Sequence, residues 1–175
     1  MRRRDRETDL ILAYEIIDNS DFGVLSLAGE EGIPYGIPLS IVRKDEFLYF
    51  HSALEGRKAD ILKLNSKVSV AFVSKNQVPD IYLNQELDEI VMNNKNAGHL
   101  LGGKVFTTEF ESAIVKGITT LVDDDEERIA GLRLICEKYT PDKMKYFQYA
   151  IDASLKITAV YKIEIEEVSG KKKSI

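Results

Sequence analysis

Apolar and polar residues follow two different periods along the chain, and each period predicts a different kind of element. Leu10, Ala13, Tyr14 and Ile17 recur at helical spacing, which predicts a short amphipathic helix over residues 5–19. From residue 22 the apolar residues come in short alternating or continuous runs bounded by polar turns, as in strands. The predicted strands cover residues 22–28, 33–42, 46–52, 67–73, 105–122 and 155–168.

Further helices are predicted at residues 56–65, 123–139 and 141–149. The segment 123–139 begins with four acidic residues, which favour a helix N-terminus because its dipole is positive there. The signal weakens at about residues 75–105, which we interpret as an insertion in a single domain spanning residues 1–175. Within it, residues 83–92 are compatible with a helical turn or two, whereas residues 93–103 are rich in helix breakers. The basic tail, residues 169–175, is expected to fray.

The strand pattern predicts a mainly β fold with some α structure. Residues 29–32 form a predicted hairpin loop, and residues 43–45 turn the chain again, so the first three strands form an antiparallel meander. Pro34 and Pro38 cannot donate to a strand ladder, which predicts an irregular or bulged second strand. Six antiparallel strands leave two exposed edges unless the sheet curls shut. We therefore expect a small six-stranded antiparallel barrel with peripheral helices.

Composition narrows the functional classes. The chain has 175 residues, is 44% hydrophobic, and carries a formal net charge of −5, which is typical of an ordinary globular domain and unfavourable for nucleic-acid binding. Cys136 is the only cysteine, so no internal disulfide or cysteine-based metal cluster can form. No apolar run is long enough for a membrane span, and the basic start is not followed by an export signal. A cytoplasmic location is expected.

The densest group of chemically useful residues joins a strand to a helix. Phe50, His51 and Ser52 end the third predicted strand, and Arg57 and Lys58 begin the next helix. Two cations at the positive end of a helix are unfavourable unless an anion lies between them. A phosphate would accept hydrogen bonds from the Ser52 hydroxyl, the free backbone N–H groups and both cations. The alternative is a surface loop in which Glu55 and neighbouring acids neutralise the pair.

The remaining candidate residues give weaker signals. His51 and His99 have no carboxylate or cysteine at metal-ligand spacing, so no zinc site is predicted. His51 adjoins Ser52 and could contact a ligand, whereas His99 is expected in a loop. Cys136 falls on the apolar face of a predicted helix, where a buried inert thiol is expected. The sequence contains no P-loop, dinucleotide-binding glycine motif or nucleophile elbow.

Several short motifs follow one another along nearly the whole chain. They comprise the arginine-rich start at residues 1–6, the apolar strand at 22–27, Tyr35-Gly36-Ile37-Pro38-Leu39-Ser40, Tyr49-Phe50-His51-Ser52-Ala53, Glu55-Gly56-Arg57-Lys58, Phe106-Thr107-Thr108, Phe110-Glu111-Ser112, the helix at 126–139 and the ending at 162–171. In this order they resemble the FMN-binding split-barrel superfamily, and within it the nitroimidazole-resistance (Nim-like) proteins related to pyridoxamine 5′-phosphate oxidase.

The resemblance implies a homodimer with FMN bound at the subunit interface. His51, Ser52, Arg57 and Lys58 would hold the phosphate and ribityl end of the flavin, and Phe50 of the same motif would be a cofactor-binding residue as well. The backbone of Ile37, Pro38, Leu39 and Ser40 would lie along the isoalloxazine ring. Phe110 and Ser112 of the partner chain would complete the pocket.

The sequence departs from the family pattern at three places. Arg57 stands where many relatives carry His, which keeps a phosphate-binding cation. Phe110 replaces the commoner Tyr and removes a hydroxyl. The insertion at about residues 75–105 is longer than in the family pattern. In this interpretation it reshapes or covers a substrate pocket.

Two functional classes follow from the resemblance. The first is an FMN-dependent oxidoreductase that takes electrons from NADH or NADPH and reduces a small molecule such as a nitroimidazole-like nitroaromatic compound. The second is a non-catalytic FMN- or haem-binding protein of the same fold, in which His51 or His99 would serve as the axial haem ligand. True pyridoxamine-phosphate oxidation is disfavoured, because the lysine-rich tail lacks a basic-aromatic segment to hold a second phosphate.

Overall fold

The computed structural model describes residues 3–29 and 32–175. Residues 1–2 of the arginine-rich start and residues 30–31 of the predicted hairpin loop lie outside this range. The strands are β1 (Gly23–Ala28), β2 (Pro34–Leu39), β3 (Val42–Lys44), β4 (Phe47–Ala53), β5 (Lys67–Gln77), β6 (Glu109–Leu121) and β7 (Thr158–Lys173). The helices are α1 (Leu10–Asn19), α2 (Arg57–Leu64), α3 (Asn84–Asn93), α4 (Ala97–Lys104), α5 (Asp125–Tyr139) and α6 (Phe147–Ser154). Short 3₁₀ turns occupy Arg4–Arg6, Pro141–Tyr146 and Leu155–Ile157.

The described strands form one antiparallel sheet of seven strands in the order β2-β1-β5-β6-β7-β4-β3. The expectation of six strands was wrong, because residues 33–42 do not form one continuous strand. The chain leaves β2 at Leu39 and enters β3 at Val42, and these strands pair with different neighbours, β1 and β4. The expected closure was wrong as well, since β2 and β3 are the two unpaired edges of the sheet. The short link nevertheless keeps these edges within about 11 Å of one another at Leu39 and Val42.

Two apolar clusters hold the sheet and helices together. The larger lies inside the curled sheet, where Leu25, Phe50 and Phe72 meet Ile16 of α1 and Ile61 of α2. The smaller lies outside it, where α5 packs on β4 and β7 and α6 packs against α5. Its members include Tyr49, Leu132, Ile135, Phe147 and Val160. The helices bury only part of the predicted apolar faces: Ala13 and Ile17 of α1, Ile61 and Leu62 of α2 and Leu132 of α5 are buried, whereas Leu10, Ile11 and Leu64 are exposed.

The last strand extends beyond its predicted end. The tail was expected to fray from residue 169, but β7 continues to Lys173 and pairs there with Phe110 of β6. Lys172 Nζ lies 2.7 Å from Glu111 Oε1 on β6, and Lys173 Nζ donates to the Thr107 hydroxyl. The pairing of β6 with β7 shifts register between Lys116 and Gly117, which places the predicted bend at a β-bulge.

The segment between β5 and β6 is helical over most of its length. The loop expected at residues 93–103 was wrong: α4 forms across Gly98, Gly102 and Gly103, and His99 lies in it. No residue of α3 is buried. Among the described residues, no helix combines the length and the apolar character that a membrane crossing requires.

Candidate functional site

The site begins where β4 ends and α2 starts. Gly56 is the N-cap residue of α2, with φ of 113° and ψ of 172°, a conformation that L side chains rarely adopt. No side chain in the part of the chain that the structure describes caps this helix, and the first intrahelical bond runs from Asp60 N to Gly56 O at 3.0 Å. The N–H groups of the first helical residues therefore have no partner within the helix. Free N–H groups of this kind can donate to an anion, which the positive end of the helix dipole also favours.

Two cations stand over aromatic rings at this helix N-terminus. The guanidinium carbon of Arg57 lies 4.6 Å from the centre of the Tyr35 ring, on β2. Lys58 Nζ lies 5.5 Å from the centre of the Phe50 ring, on β4. Phe50 is fully buried and stacks on Tyr161, with ring centres 5.1 Å apart. The positions of both charges are thus set by aromatic rings of β2 and β4.

Neither cation is neutralised by a carboxylate of the described residues. Asp60, one turn along α2, pairs instead with Lys63 at 3.9 Å. Glu55 forms no ion pair with Arg57 or Lys58, so the surface-neutralisation alternative finds no support at this residue. Partial burial lowers the pKa of Lys58, as expected of a charge held against an apolar ring without a counterion.

His51 and Ser52 lie on opposite faces of β4. Ser52 is half-buried and shares its face with Phe50, on the side of α2. His51 points to the other face, with an exposed side chain. Desolvation at the sheet surface lowers the pKa of His51, and the positive charge of Lys58 lowers it further. Ser52 therefore lies on the face of β4 over which Lys58 stands, whereas His51 lies on the opposite face.

Residues 37–40, which are predicted to lie along the isoalloxazine ring (the ring-binding segment), follow Tyr35, whose ring lies beneath Arg57. Ile37 and Leu39 turn half-buried side chains to the core, while Pro38 and Ser40 are exposed. From Tyr35, beneath Arg57, the extended chain to Ser40 spans about 16 Å at roughly 3.3 Å per residue.

Phe110 and Ser112 are far from α2 within one chain. Ser112 pairs with Lys171 near the end of β7, whereas Ser52 pairs with Ala159 near its start. Lys171 Nζ lies 5.5 Å from the centre of the Phe110 ring. The single chain does not bring these residues to the cations, and their predicted role through a partner chain stays a prediction.

Sequence reasoning missed the residues that hold the end of the ring-binding segment. The Tyr139 hydroxyl accepts a hydrogen bond from Ile41 N at 3.0 Å and donates one to Ile41 O at 2.9 Å. Lys138 Nζ donates to the same carbonyl at 3.3 Å. These contacts fix the link between β2 and β3, directly after Ser40. Because Tyr139 is 98 residues from Ile41, no local pattern indicates the contact.

The structure describes no group of His, Cys, Asp and Glu that could hold a metal ion within residues 3–29 and 32–175. Cys136 is partly buried against the smaller apolar cluster. His99 lies exposed on α4, far along the chain from the cations.

A sequence model of the family described as pyridoxamine 5′-phosphate oxidase matches residues 12–172 of the chain. No curated protein sequence matches it. A solved structure of a candidate 5-nitroimidazole antibiotic resistance protein from Bacteroides thetaiotaomicron VPI-5482 is similar, with a TM-score of 0.70 and 23% identity over 93% of this chain and 83% of that one.

Two further solved structures share the fold at lower identity. The flavocytochrome Anf3 from Azotobacter vinelandii has a TM-score of 0.75 and 16% identity, over 100% of this chain and 72% of that one. The FAD and haem binding protein from Mycobacterium smegmatis has a TM-score of 0.74 and 13% identity, over 97% of this chain and 74% of that one. At these identities the likeness shows the fold alone.

Proposed function

Because the chain belongs to the pyridoxamine 5′-phosphate oxidase family, we propose that it binds FMN and works as a flavin-dependent oxidoreductase on small nitroaromatic acceptors. The observation that carries the proposal is the pair of cations, Arg57 and Lys58, at the Gly56-capped start of α2, which no carboxylate of residues 3–29 and 32–175 neutralises. A phosphate monoester carries close to two negative charges at neutral pH and several acceptor oxygens. Both cations, the free N–H groups and the Ser52 hydroxyl supply matching donors.

The flavin ring would follow the strand that starts at the phosphate. Residues 37–40 expose a stretch of backbone and end at the link held by Tyr139. Pro38 lacks an N–H group, so the remaining polar contacts of this segment come from its neighbours Ile37, Leu39 and Ser40. Bound FMN supplies the electron transfer, and the chain binds it, orients it and shields one face. We assign no catalytic side chain.

We propose that a second copy of the chain completes the pocket. The outer face of the sheet carries an apolar row in which Pro38, Val24, Ala71 and Ile114 lie side by side on four adjacent strands. Ile114 is 44% exposed and its diagonal neighbour Val73 is 50% exposed. Phe110 and Ser112 continue this face along β6, so a partner packed on it would present them to a flavin on Pro38.

The choice of substrate rests on the similar protein whose name links it to 5-nitroimidazole resistance. We propose NADH or NADPH as the electron donor. Anaerobic reduction of the flavin-loaded protein by either donor, followed by reoxidation with a nitroimidazole, should proceed faster than with free FMN. A flavin that stays oxidised with both donors would instead indicate a carrier.

The cofactor itself is tested by the absorption spectrum of the purified protein. FMN binding predicts the two flavin bands in the near-ultraviolet and blue. A Soret band without them would replace the proposal with the haem-binding alternative, which two of the similar structures make worth testing.

The phosphate site is tested by replacing Arg57 and Lys58 together with Ala. Each charge-assisted hydrogen bond contributes about 1.5–3 kcal/mol, so the dissociation constant of FMN should rise by about two to four orders of magnitude. Riboflavin, which lacks the phosphate, should bind the wild type and the double variant alike. Lys63→Ala, on the same helix but paired with Asp60, is the control and should leave FMN affinity unchanged. Equal FMN affinity of the wild type and the double variant would mean that the phosphate does not bind at α2.

A further inference from the structure

Lys138 brings a positive charge to the link between β2 and β3. Its Nζ lies 3.3 Å from Ile41 O in this link and 3.4 Å from Ile17 O, near the end of α1. Lys138 is half-buried, and Ile41 is fully buried. The ammonium is therefore held beside the residue that directly follows the ring-binding segment.

Tyr139 fixes the distance between this charge and the ring-binding segment. Its hydroxyl bonds both backbone groups of Ile41, accepting from the N–H at 3.0 Å and donating to the carbonyl oxygen at 2.9 Å. Ser40, the preceding residue, is exposed. One residue of extended chain spans about 3.3 Å, so a flavin ring that lies on Ser40 would have its near edge within about 10 Å of the ammonium.

Two carboxylates bear on the charge of Lys138. Burial lowers the pKa of Lys138, and the carboxylates of Asp18 and Asp21 oppose this shift because they favour the ammonium form. Asp18 is paired with Arg43. Asp21 is exposed, so water and salt screen its negative charge. The positive charge of Lys138 is therefore offset only in part.

A positive charge at this place acts differently on the two redox states of a flavin. A hydride from the proposed nicotinamide donor carries two electrons and one proton, so its transfer leaves one negative charge on a ring that was neutral. At about 10 Å and an effective dielectric constant of about 20, one positive charge favours the reduced ring over the oxidised ring by about tenfold. An uncharged side chain in place of Lys138 would lack this preference.

We propose that Lys138 raises the reduction potential of the bound flavin, and that Tyr139 is a positioning residue that holds the ring-binding segment at a fixed distance from this charge. The proposal rests on the flavin site proposed above and gives two residues of α5 a role in it. Lys138 makes the flavin easier for the donor to reduce and takes no part in the transfer itself.

Anaerobic redox titration of the FMN-loaded protein at neutral pH tests the role of Lys138. Lys138→Gln removes the charge but keeps a donor for Ile41 O. It should lower the preference for reduced over oxidised FMN by about tenfold, which is about 30 mV for a two-electron couple. Lys138→Arg keeps the charge and should change the preference by less than about threefold. Lys143→Gln, at an exposed lysine in the turn after α5, is the matched control and should leave the potential unchanged.

Two further variants separate charge from position. Asp21→Asn removes a negative charge near Lys138 and should shift the potential in the opposite direction, upward by about threefold in the same preference. Tyr139→Phe leaves the charge in place but releases both backbone groups of Ile41. It should weaken FMN and riboflavin by the same factor, about tenfold, because the loss lies at the ring and not at the phosphate.

The outcomes separate this proposal from the one on which it rests. If Lys138→Gln leaves the potential unchanged, or shifts it no more than Lys143→Gln does, Lys138 does not tune the flavin and the flavin site stands. If Lys138→Gln does not fold, Asp21→Asn decides, and a potential that is unchanged or lowered overturns the proposal. Unchanged flavin affinity in Tyr139→Phe would refute the positioning role. A wild type that holds no FMN would place the failure in the flavin site itself.

Discussion

Gly56 sets the geometry of the candidate phosphate site through its backbone alone. Its φ of 113° belongs to a region open to glycine, while a methyl group at this position would meet no atom within 4 Å. Any effect of a substitution would therefore come from backbone strain and not from steric overlap.

We predict that Gly56→Ala lowers the free energy of unfolding by about 1–3 kcal/mol and weakens FMN binding. The reason for the weaker binding is that the strained N-cap would relax and turn the free N–H groups away from the phosphate. Urea denaturation and FMN titration measure the two effects. Gly102→Ala in α4 is the control and should stabilise the protein by about 0.5–1 kcal/mol, because alanine is the better helix former. Unchanged stability and affinity in Gly56→Ala would mean that the loop tolerates both conformations.

Lys58 makes the proposed FMN binding depend on pH. Burial lowers the pKa of Lys58 in the flavin-free protein, and only the protonated amine attracts the phosphate. The phosphate is already doubly charged above its second pKa of about 6. The affinity for FMN should therefore be full at neutral pH and fall as the pH rises through the lowered pKa of Lys58.

Fluorescence titrations of FMN between about pH 7 and pH 10 test this dependence. Lys58→Arg should abolish the alkaline loss of affinity, since the guanidinium stays charged over the whole range. Riboflavin binding should be independent of pH over the same interval. A loss of FMN affinity that persists in Lys58→Arg would assign the titration to another group.

At the scale of elements, the local sequence pattern predicts where a strand begins and ends but not which strand it pairs with. The strands β1 and β4 and the helices α2 and α5 lie close to their predicted bounds, because alternation, helical spacing and acidic first turns act within each segment. The division of residues 33–42 into β2 and β3 could not be predicted, since both halves are extended and differ only in which edge they join. The order of the tail likewise depends on Phe110 and Glu111, which lie distant in sequence.

The same limit applies to the candidate site. Arg57 and Lys58 could be singled out from their conflict with the helix dipole, which is a local property. Tyr35 beneath Arg57 and Tyr139 on Ile41 could not, because sheet curvature and the packing of α5 bring them there.

Gly117 lies at the β-bulge, where β6 passes close to the backbone of β7. A methyl group at this position would overlap the carbonyl oxygen of Glu164 and lie 2.9 Å from Ile163 Cγ2. Since backbone blocks the added atom, the strands would have to separate at the bulge. We predict that Gly117→Ala lowers the free energy of unfolding by about 1–3 kcal/mol in urea denaturation. Gly36→Ala is the control, because its nearest neighbour, Val24 Cγ1, is 3.8 Å away and leaves room. Equal stabilities of the two variants would contradict the close approach.

At the scale of the whole molecule, the sheet buries one face and leaves part of the other to solvent. Helix α5 covers the outer face of β4 and β7, with α6 packed against it, but the apolar row from Pro38 to Ile114 remains partly exposed. An apolar surface of this kind is typical of an interface between protein chains.

We predict that Val73→Glu combined with Ile114→Glu produces a folded monomer with weaker FMN binding. Charges at both positions would meet their own copies across a two-fold interface and repel one another. Sedimentation velocity measures the assembly and circular dichroism the fold. Ile11→Glu, on α1 and 73% exposed, is the control and should leave the dimer intact. A wild type that is monomeric while holding FMN would refute the shared pocket.

The pairing of β4 with β7 has a consequence for the synthesis of the protein. Phe47 pairs with Glu164 and Phe50 with Tyr161. One edge of β4 therefore stays unpaired until β7 is synthesised, roughly a hundred residues later. At typical rates of about 5–20 residues per second, this delay lasts several seconds. During that time the nascent chain presents an unpaired apolar edge, with only the short β3 on its other side. Variants that slow the completion of β7 should therefore lower soluble yield more than their equilibrium stability indicates.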